Sequence, residues 1–255
     1  MSPLERELTR RFYAAYRDPG LAVLEGFHPA RHALAFGARL DVAVTYDRPK
    51  LLALAARLAP ESLAGITEVL AEVSRERFTR LTRRTLSSPL LAVSARPDHD
   101  LAAALAERTK PVVHLHRPRN PGNVGAAVRV AAAAGLGALT VSGQDPWSPI
   151  AIRSATGLQF ALPVAQSELP DCGRPVVALD AAGEPLRAAR LPPDAILVLG
   201  GERHGLPSWV RDLAERTVAV PMRPGVSSLN LAAALAAVLY AWRAAFFERE
   251  GRDPW

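Results

Sequence analysis

An α/β fold is what this sequence predicts, and three observations carry that prediction. From Val112 onward, short apolar runs alternate with helical stretches. Before Arg96 the alternation is looser and its elements are shorter. Between the two, a polar-edged segment from Asp98 to Lys110, carrying Leu101, Leu105 and several alanines, reads as a connecting helix. Strict strand–helix alternation calls for a mostly parallel sheet with helices on both faces. With 255 residues, 49% of them apolar, the chain can fill two cores. The expected division is a small N-terminal domain over 1–96 and a larger one over 111–255, joined near Arg96 to Pro111.

In the first domain, Arg6 to Tyr16 reads as an amphipathic helix, Leu21 to Leu24 as a strand and Pro29 to Phe36 as a helix. Asp41 to Thr45 follows as a strand and Pro49 to Leu58 as a Leu/Ala-rich helix. Ile66 to Val69 is a short apolar run that fits either state, Ser74 to Leu81 reads as helix, and Leu90 to Val93 as strand. In the second domain the expected strands are Val112–His116, Ala138–Ser142, Val176–Leu179, Ile196–Leu199 and Val218–Val220. The helices between and after them are Gly122–Ala134, Pro149–Thr156, Pro207–Ala214 and Ser228–Phe247.

Composition narrows the function classes. Cys172 is the only cysteine, which excludes an internal disulfide framework and a cysteine-rich zinc site, and nothing nearby would activate it as a nucleophile. The six histidines lack metal-ligand spacing, so no metal site is expected. No run of about 18 uncharged apolar residues occurs and the first residues lack the build of a secretory signal, so a cytoplasmic protein without a membrane is expected. The net charge is +6, and Lys50 and Lys110 are the only lysines. Arginine binds phosphate bidentately and stacks on bases, which suits RNA; a coding bias toward arginine explains the same ratio without function.

Three loop segments carry the candidate chemistry. In the first, Asn120, Asn123 and Gly125 lie between a strand and a helix that holds Arg129. Helix-start amides there can face an anion, Asn120 or Asn123 can cap, and Arg129 can reach a phosphate or a carboxylate. The same segment also reads as an ordinary strand–helix turn with a capping Asn and a salt-bridging Arg. Its glycine spacing is not a dinucleotide fingerprint. In the second, Leu199, Gly200, Gly201 and Glu202 end a strand where ligands of open α/β sheets bind. Glu202 could instead cap the helix near Pro207, and His204 reads as a solvent-facing loop residue. In the third, Pro221 ends a strand, Ser227 or Ser228 is a natural N-cap, and Asn230 falls in the first helical turn. Capping without catalysis is the alternative here.

Taken in order, these segments resemble the three motifs of the SpoU-type SPOUT methyltransferases, which methylate ribose 2′-hydroxyls in RNA. The patterns N-x-G-x-x-x-R (Asn123 to Arg129) and L-G-x-E-x-x-G-L (Leu199 to Leu206) match fully. The third, V-P-M followed by S-S-L-N (Val220 to Asn230), has Val for the family's Ile. The resemblance covers roughly Val112 to Phe247 and implies a deep trefoil knot binding S-adenosylmethionine. The implied cofactor pocket uses the backbone around Leu199, Gly200, Val220, Met222 and Leu229. It also implies catalytic roles for Arg129, Glu202, Ser228 and Asn230, and an RNA-facing position for Asn123. Ala155 stands where many members have Ser. The N-terminal domain, with Glu25 and Gly26 after its first strand, is similar to the ribosomal-protein (L30e-like) substrate-binding domain that many SpoU enzymes carry.

Methyl transfer to a ribose oxygen needs alignment and removal of the hydroxyl proton. Arginine stays protonated to above about pH 12, so Arg129 is unsuited as a base. It is expected to bind a phosphate of the target nucleotide and stabilise the developing alkoxide, oriented by Glu202, while Ser228 and Asn230 position the ribose. Arg75, Arg77, Arg80, Arg83 and Arg84, beside Phe78, form a basic stretch that either contacts RNA or pairs with Glu72 and Glu76 on a solvated helix face. The expected partner is RNA, ribosomal rather than transfer RNA. The other readings are a non-catalytic knotted RNA-binding protein and a nucleotide-binding Rossmann protein. The resemblance further implies a homodimer through the C-terminal domain, with residues near the first motif and the terminal helix at its interface, although Trp242, Phe246 and Phe247 could equally fill the monomer core.

Overall fold

A computed structural model describes residues 3–82, 84–186 and 191–251. Arg83 lies outside them. In chain order the elements are α1 (Pro3–Ala15), β1 (Leu21–Glu25), α2 (Phe27–Ala35), β2 (Leu40–Thr45), α3 (Arg48–Leu58), α4 (Leu63–Thr67), β3 (Leu70–Glu72), α5 (Arg75–Thr82) and β4 (Leu91–Ala95). There follow α6 (Leu101–Ala106), β5 (Val112–His116), α7 (Pro121–Ala134), β6 (Ala138–Val141), α8 (Pro149–Ala155), β7 (Val164–Gln166) and β8 (Val176–Pro185). The chain continues with β9 (Ile196–Gly200), α9 (Ser208–Leu213), β10 (Arg216–Ala219) and α10 (Leu231–Glu250).

Contacts divide the chain into Met1–Asp98 with Trp147–Ala161, and His99–Pro146 with Leu162–Trp255. The first unit holds a four-stranded sheet in the order β1-β4-β2-β3. β4 runs antiparallel to β1 and β2, and β3 parallel to β2. Alternation along each strand sorts its side chains onto two faces. Ala22, Leu24, Ala43 and Ala92 meet Phe27, Leu51, Ile66 and Ile152 on one face. Val23, Val42, Val44 and Val93 meet Phe12, Phe78 and Leu81 on the other. The unit is therefore a three-layer sandwich.

The segment 147–161 packs with this first unit, whereas the sequence division at Pro111 assigns it to the second domain. Ile152, Trp147 and Phe160 enter the apolar cluster. Arg153 pairs with the buried Glu25 at 2.7 Å, and the Tyr16 hydroxyl donates to the same carboxylate at 3.1 Å. A buried charge needs such partners, and removing one typically costs about 3–5 kcal/mol. Gly157 sits at φ +81°, and a Cβ there would lie 2.6 Å from the Pro29 carbonyl oxygen. Ala155 is fully buried in this packing.

The second unit holds a six-stranded sheet in the order β10-β8-β9-β5-β6-β7, parallel throughout. β5 is its first strand, flanked by β6 on one side and β9 on the other. The chain thus switches direction at β5/β9, the place where open α/β sheets form ligand crevices at their carboxyl ends. β8 continues past Leu179, where the sequence ends it, to Pro185. β10 pairs first with Val177 and Ala178 and then with Glu184 and Pro185, so residues 179–183 leave its ladder. β3 and β7, three residues each, are too short to generate a periodic signal.

α10 packs on α7, with Leu235, Val238, Leu239 and Trp242 buried. Among the described residues it is the one helix whose length and hydropathy would suffice to cross a bilayer (mean hydropathy 1.4 over Leu231–Glu248). The sequence reading does not single it out because Arg243 and Glu248 interrupt the apolar run.

Candidate active site

The carboxyl ends of β5 and β9 are brought together by backbone contact. Leu115 and Leu199 are register partners, as are His116 and Gly200. Just beyond, Gly201 bridges to Gly205, with the Gly205 N–H donating to the Gly201 carbonyl at 3.0 Å. A Cβ on Gly200 would lie 2.2 Å from the Gly205 carbonyl carbon, and one on Gly201 would lie 2.6 Å from the Arg117 carbonyl oxygen. Both positions therefore require glycine for close backbone approach.

This turn is one wall of a cavity of about 310 Å³, a volume within the range of small-molecule sites. All five positions assigned to a cofactor line it: Leu199, Gly200, Val220, Met222 and Leu229. Glu202 and Ser228 line it as well. So do Leu179, Asp180 and Ala181, which sequence reasoning missed. They reach the cavity because β8 leaves the β10 ladder there, and nothing local in the sequence announces that irregularity.

Asn123, Glu202 and Asn230 form one hydrogen-bonded chain. Asn230 Nδ2 donates to Asn123 Oδ1 at 2.9 Å, and Asn123 Nδ2 donates to Glu202 Oε1 at 2.7 Å. The other Glu202 oxygen accepts from the Arg119 backbone N–H at 2.9 Å, while Asn120 N–H approaches Oε1 at 3.4 Å. Burial alone would raise the Glu202 carboxyl. Hydrogen bonds from Arg119 N–H, Asn123 and other backbone N–H groups outweigh it and hold the carboxyl below its ordinary value. Glu202 is thus an ionised acceptor whose lone pairs are engaged, a poor base and a good anchor.

One local expectation is corrected and one open alternative is resolved. Asn230 is the N-cap of α10, its Oδ1 accepting from Ala232 and Ala233 N–H at 3.0 and 3.3 Å. The helix therefore starts at Leu231, and Ser227 and Ser228 stay in an exposed loop. Asn120 rather than Asn123 caps α7, accepting from Gly122 N–H at 2.8 Å, which leaves the Asn123 side chain for the network. Arg129 lies on α7 with an exposed side chain and does not line the cavity. It makes no ion pair with Glu202, so the expected orienting contact is absent, because the carboxylate is already occupied by the α7 start.

The basic stretch is tied down locally. Arg75 lies 4.2 Å over the Tyr46 ring, Arg77 Nη2 approaches the Glu5 carbonyl at 3.4 Å, and Arg80 pairs with Glu76 at 2.6 Å. Phe78 is buried and meets Tyr46 edge-on, so it is a core residue. Glu72 accepts from the Arg48 backbone at 3.5 Å. Arg84 is exposed.

Residues 110–240, just over half the chain, match the model of the SpoU rRNA Methylase family. The chain belongs to the SpoU rRNA methylase family. A 23S rRNA (uridine(2479)-2′-O)-methyltransferase from Streptomyces viridochromogenes is 33% identical over 169 residues, 59% of this chain and 58% of that protein's length. The chain thus spans less than two thirds of that relative. A crystal structure of an RNA 2′-O ribose methyltransferase is 27% identical with a TM-score of 0.76, covering 95% of this chain and 97% of that one. An AdoMet-bound rRNA methyltransferase from Sinorhizobium meliloti shares the fold, with a TM-score of 0.77, 24% identity and coverage of 96% and 95%.

Proposed function

We propose that this SpoU-family chain methylates a ribose 2′-hydroxyl of ribosomal RNA, using S-adenosylmethionine held in the 310 Å³ cavity. The observation that carries the reading is the Asn230–Asn123–Glu202 chain, which joins all three motif segments and ends on Glu202 in the cavity wall. The residues fit the cofactor. Leu199, Val220, Met222 and Leu229 offer apolar walls to a purine, and the glycine-rich turn leaves backbone groups accessible beside them. When bound, S-adenosylmethionine supplies an electrophilic methyl group. Family membership also supports a deep trefoil knot after β9, and the three-layer first unit suits an L30e-like RNA-binding role.

In this account Glu202 is a positioning residue that fixes the α7 start, and through Asn123 the start of α10. Ser228 and Asn230 orient the ribose, and alignment of this kind lowers barriers by several kcal/mol. Arg129, exposed and without an ion-pair partner among the described residues, is free to meet a phosphate and the developing alkoxide. Tyr240 and Phe247, exposed on α10, suit a homodimer interface. Calorimetry with S-adenosylmethionine and transfer of labelled methyl to ribosomal RNA test the reading. Arg129→Ala is expected to abolish transfer and leave cofactor affinity within about twofold. Near-normal turnover would remove Arg129 from the mechanism.

A further inference from the structure

A second cavity, of about 240 Å³, lies against the first and shares Gly201 and Gly205 with it. Its side-chain lining is basic: His116, Arg117, Arg119, Arg203 and His204, with no carboxylate. The three arginines are exposed, and among the described residues none of their guanidinium groups has an ion-pair or hydrogen-bond partner. Several other arginines of the same unit are paired or bonded, as Arg211 is by Asp180 and Arg174 by backbone carbonyls, although Arg129 is not. Concentrating unpaired cations around a concavity is electrostatically unfavourable unless an anion occupies it.

Two further features sit at the same place. His116 is 8% exposed, and its Nδ1 is buried without a hydrogen-bond partner. Buried polar atoms are nearly always partnered, so this ring stands out among the residues that line the cavity. Burial, and then the Arg117 charge, hold this imidazole below its ordinary pKa, with Glu168 pulling weakly the other way. Arg117 itself adopts φ +47°, a conformation that costs a non-glycine residue about 1–2 kcal/mol. It is pinned there by its backbone N–H donating to Ser142 Oγ at 3.0 Å.

We propose that this second cavity binds a backbone phosphate of the RNA, the phosphodiester next to the ribose presented to the neighbouring methyl-donor cavity. The inference rests on the methyltransferase reading above for the identity of its anion. Guanidinium forks match phosphate oxygens bidentately, and the His116 ring lines the same cavity beside them. The shared glycine wall then sets the distance between the held phosphate and the cofactor.

The test uses the full chain labelled with ¹⁵N at histidine, a uridylate octamer and inorganic phosphate. Both probes are expected to shift the His116 imidazole resonances. The R117Q/R119Q/R203Q variant is expected to bind the octamer at least about tenfold more weakly. Its log–log salt slope should be shallower by about 0.7–0.9, the contribution of one phosphate, with S-adenosylmethionine affinity unchanged. Bound octamer with unmoved His116 resonances, or a variant keeping the wild-type slope, would overturn the proposal. Should the variant fail to fold, the wild-type His116 titration still decides. Methyl transfer by the wild type, combined with an unaltered variant slope, removes this cavity and leaves the methyltransferase reading standing. His116 shifts without any methyl transfer remove that reading and keep the anion site.

Discussion

Replacing Gly200 with alanine tests whether the β9 turn shapes the cofactor cavity. The added Cβ would lie 2.2 Å from the Gly205 carbonyl carbon, 2.4 Å from its oxygen and 2.5 Å from Leu206 N. All three are backbone atoms, so no side-chain rotation relieves the overlap. Ordinary carbon contact lies near 3.5 Å, so the turn must retreat by roughly 1 Å. That movement strains the Gly205 N–H to Gly201 carbonyl bond. Overpacking of this kind costs about 1–3 kcal/mol, which shifts Tm by about 2–4 °C per kcal/mol in a protein of this size. Because Gly200, Gly201 and Gly205 line the cavity, the retreat also displaces its wall, and S-adenosylmethionine affinity should fall by about 5- to 150-fold, equivalent to about 1–3 kcal/mol. Calorimetric titration and thermal unfolding measure both. Gly137→Ala is the control, since its Cβ would meet neighbours only at 3.5 Å or more. A G200A protein with wild-type Kd and Tm would refute the reasoning.

Three other perturbations follow from the same geometry. Glu202→Gln places an amide NH₂ among N–H donors, so methyl transfer should fall at least about tenfold while S-adenosylmethionine Kd moves less; equal losses in both would assign Glu202 to cofactor binding alone. Arg174 is buried and donates to the carbonyls of Ala104, Leu105, Glu107, Lys110 and Asp194. Arg174→Met should cost about 2–4 kcal/mol by orphaning these acceptors, read by urea unfolding; a loss below about 0.5 kcal/mol would contradict that role. His114 is fully buried with Nδ1 on Thr140 Oγ1 at 2.9 Å, and burial, then His116, lowers its pKa to about 4. The unfolded chain takes up this proton near pH 6.5, so stability is full above that and falls by about 3 kcal/mol as pH drops to about 4. Histidine NMR should find His114 neutral at pH 5, and a protonated ring there would contradict the assignment.

Much of the second unit was legible because parallel strands buried on both faces appear as unbroken apolar runs. Ile196–Gly200 is such a run, Val112–His116 is interrupted only by two buried histidines, and α7 lies within one residue of its expected start. The cofactor wall was legible through paired glycines after a strand. The Asn230–Asn123–Glu202 chain was not, because its bonds span 107 and 79 residues and local patterns carry no trace of such pairing. Asn230 illustrates the limit: its type suits either a cap or a first-turn residue, and only the register of α10 decides. Arg75 and Phe78 suggested an RNA face by composition, yet folding against Tyr46 gave both a partner inside the protein. The 147–161 segment joins the first unit through Ile152, Arg153 and Phe160, and a linear alternation of strands and helices cannot express that return. His114 and His116, two apart on β5, fall on one face of the strand, which alternation alone makes legible.

The central claim is methyl transfer to a ribose oxygen, and nucleoside mapping of treated RNA tests it most directly. Incubation of unmodified ribosomal RNA with the protein and labelled S-adenosylmethionine, followed by nuclease digestion and mass spectrometry, is expected to yield one 2′-O-methylated nucleotide that disappears with Arg129→Ala. Label on a base, or RNA left unmethylated by a protein that binds the cofactor, would contradict it.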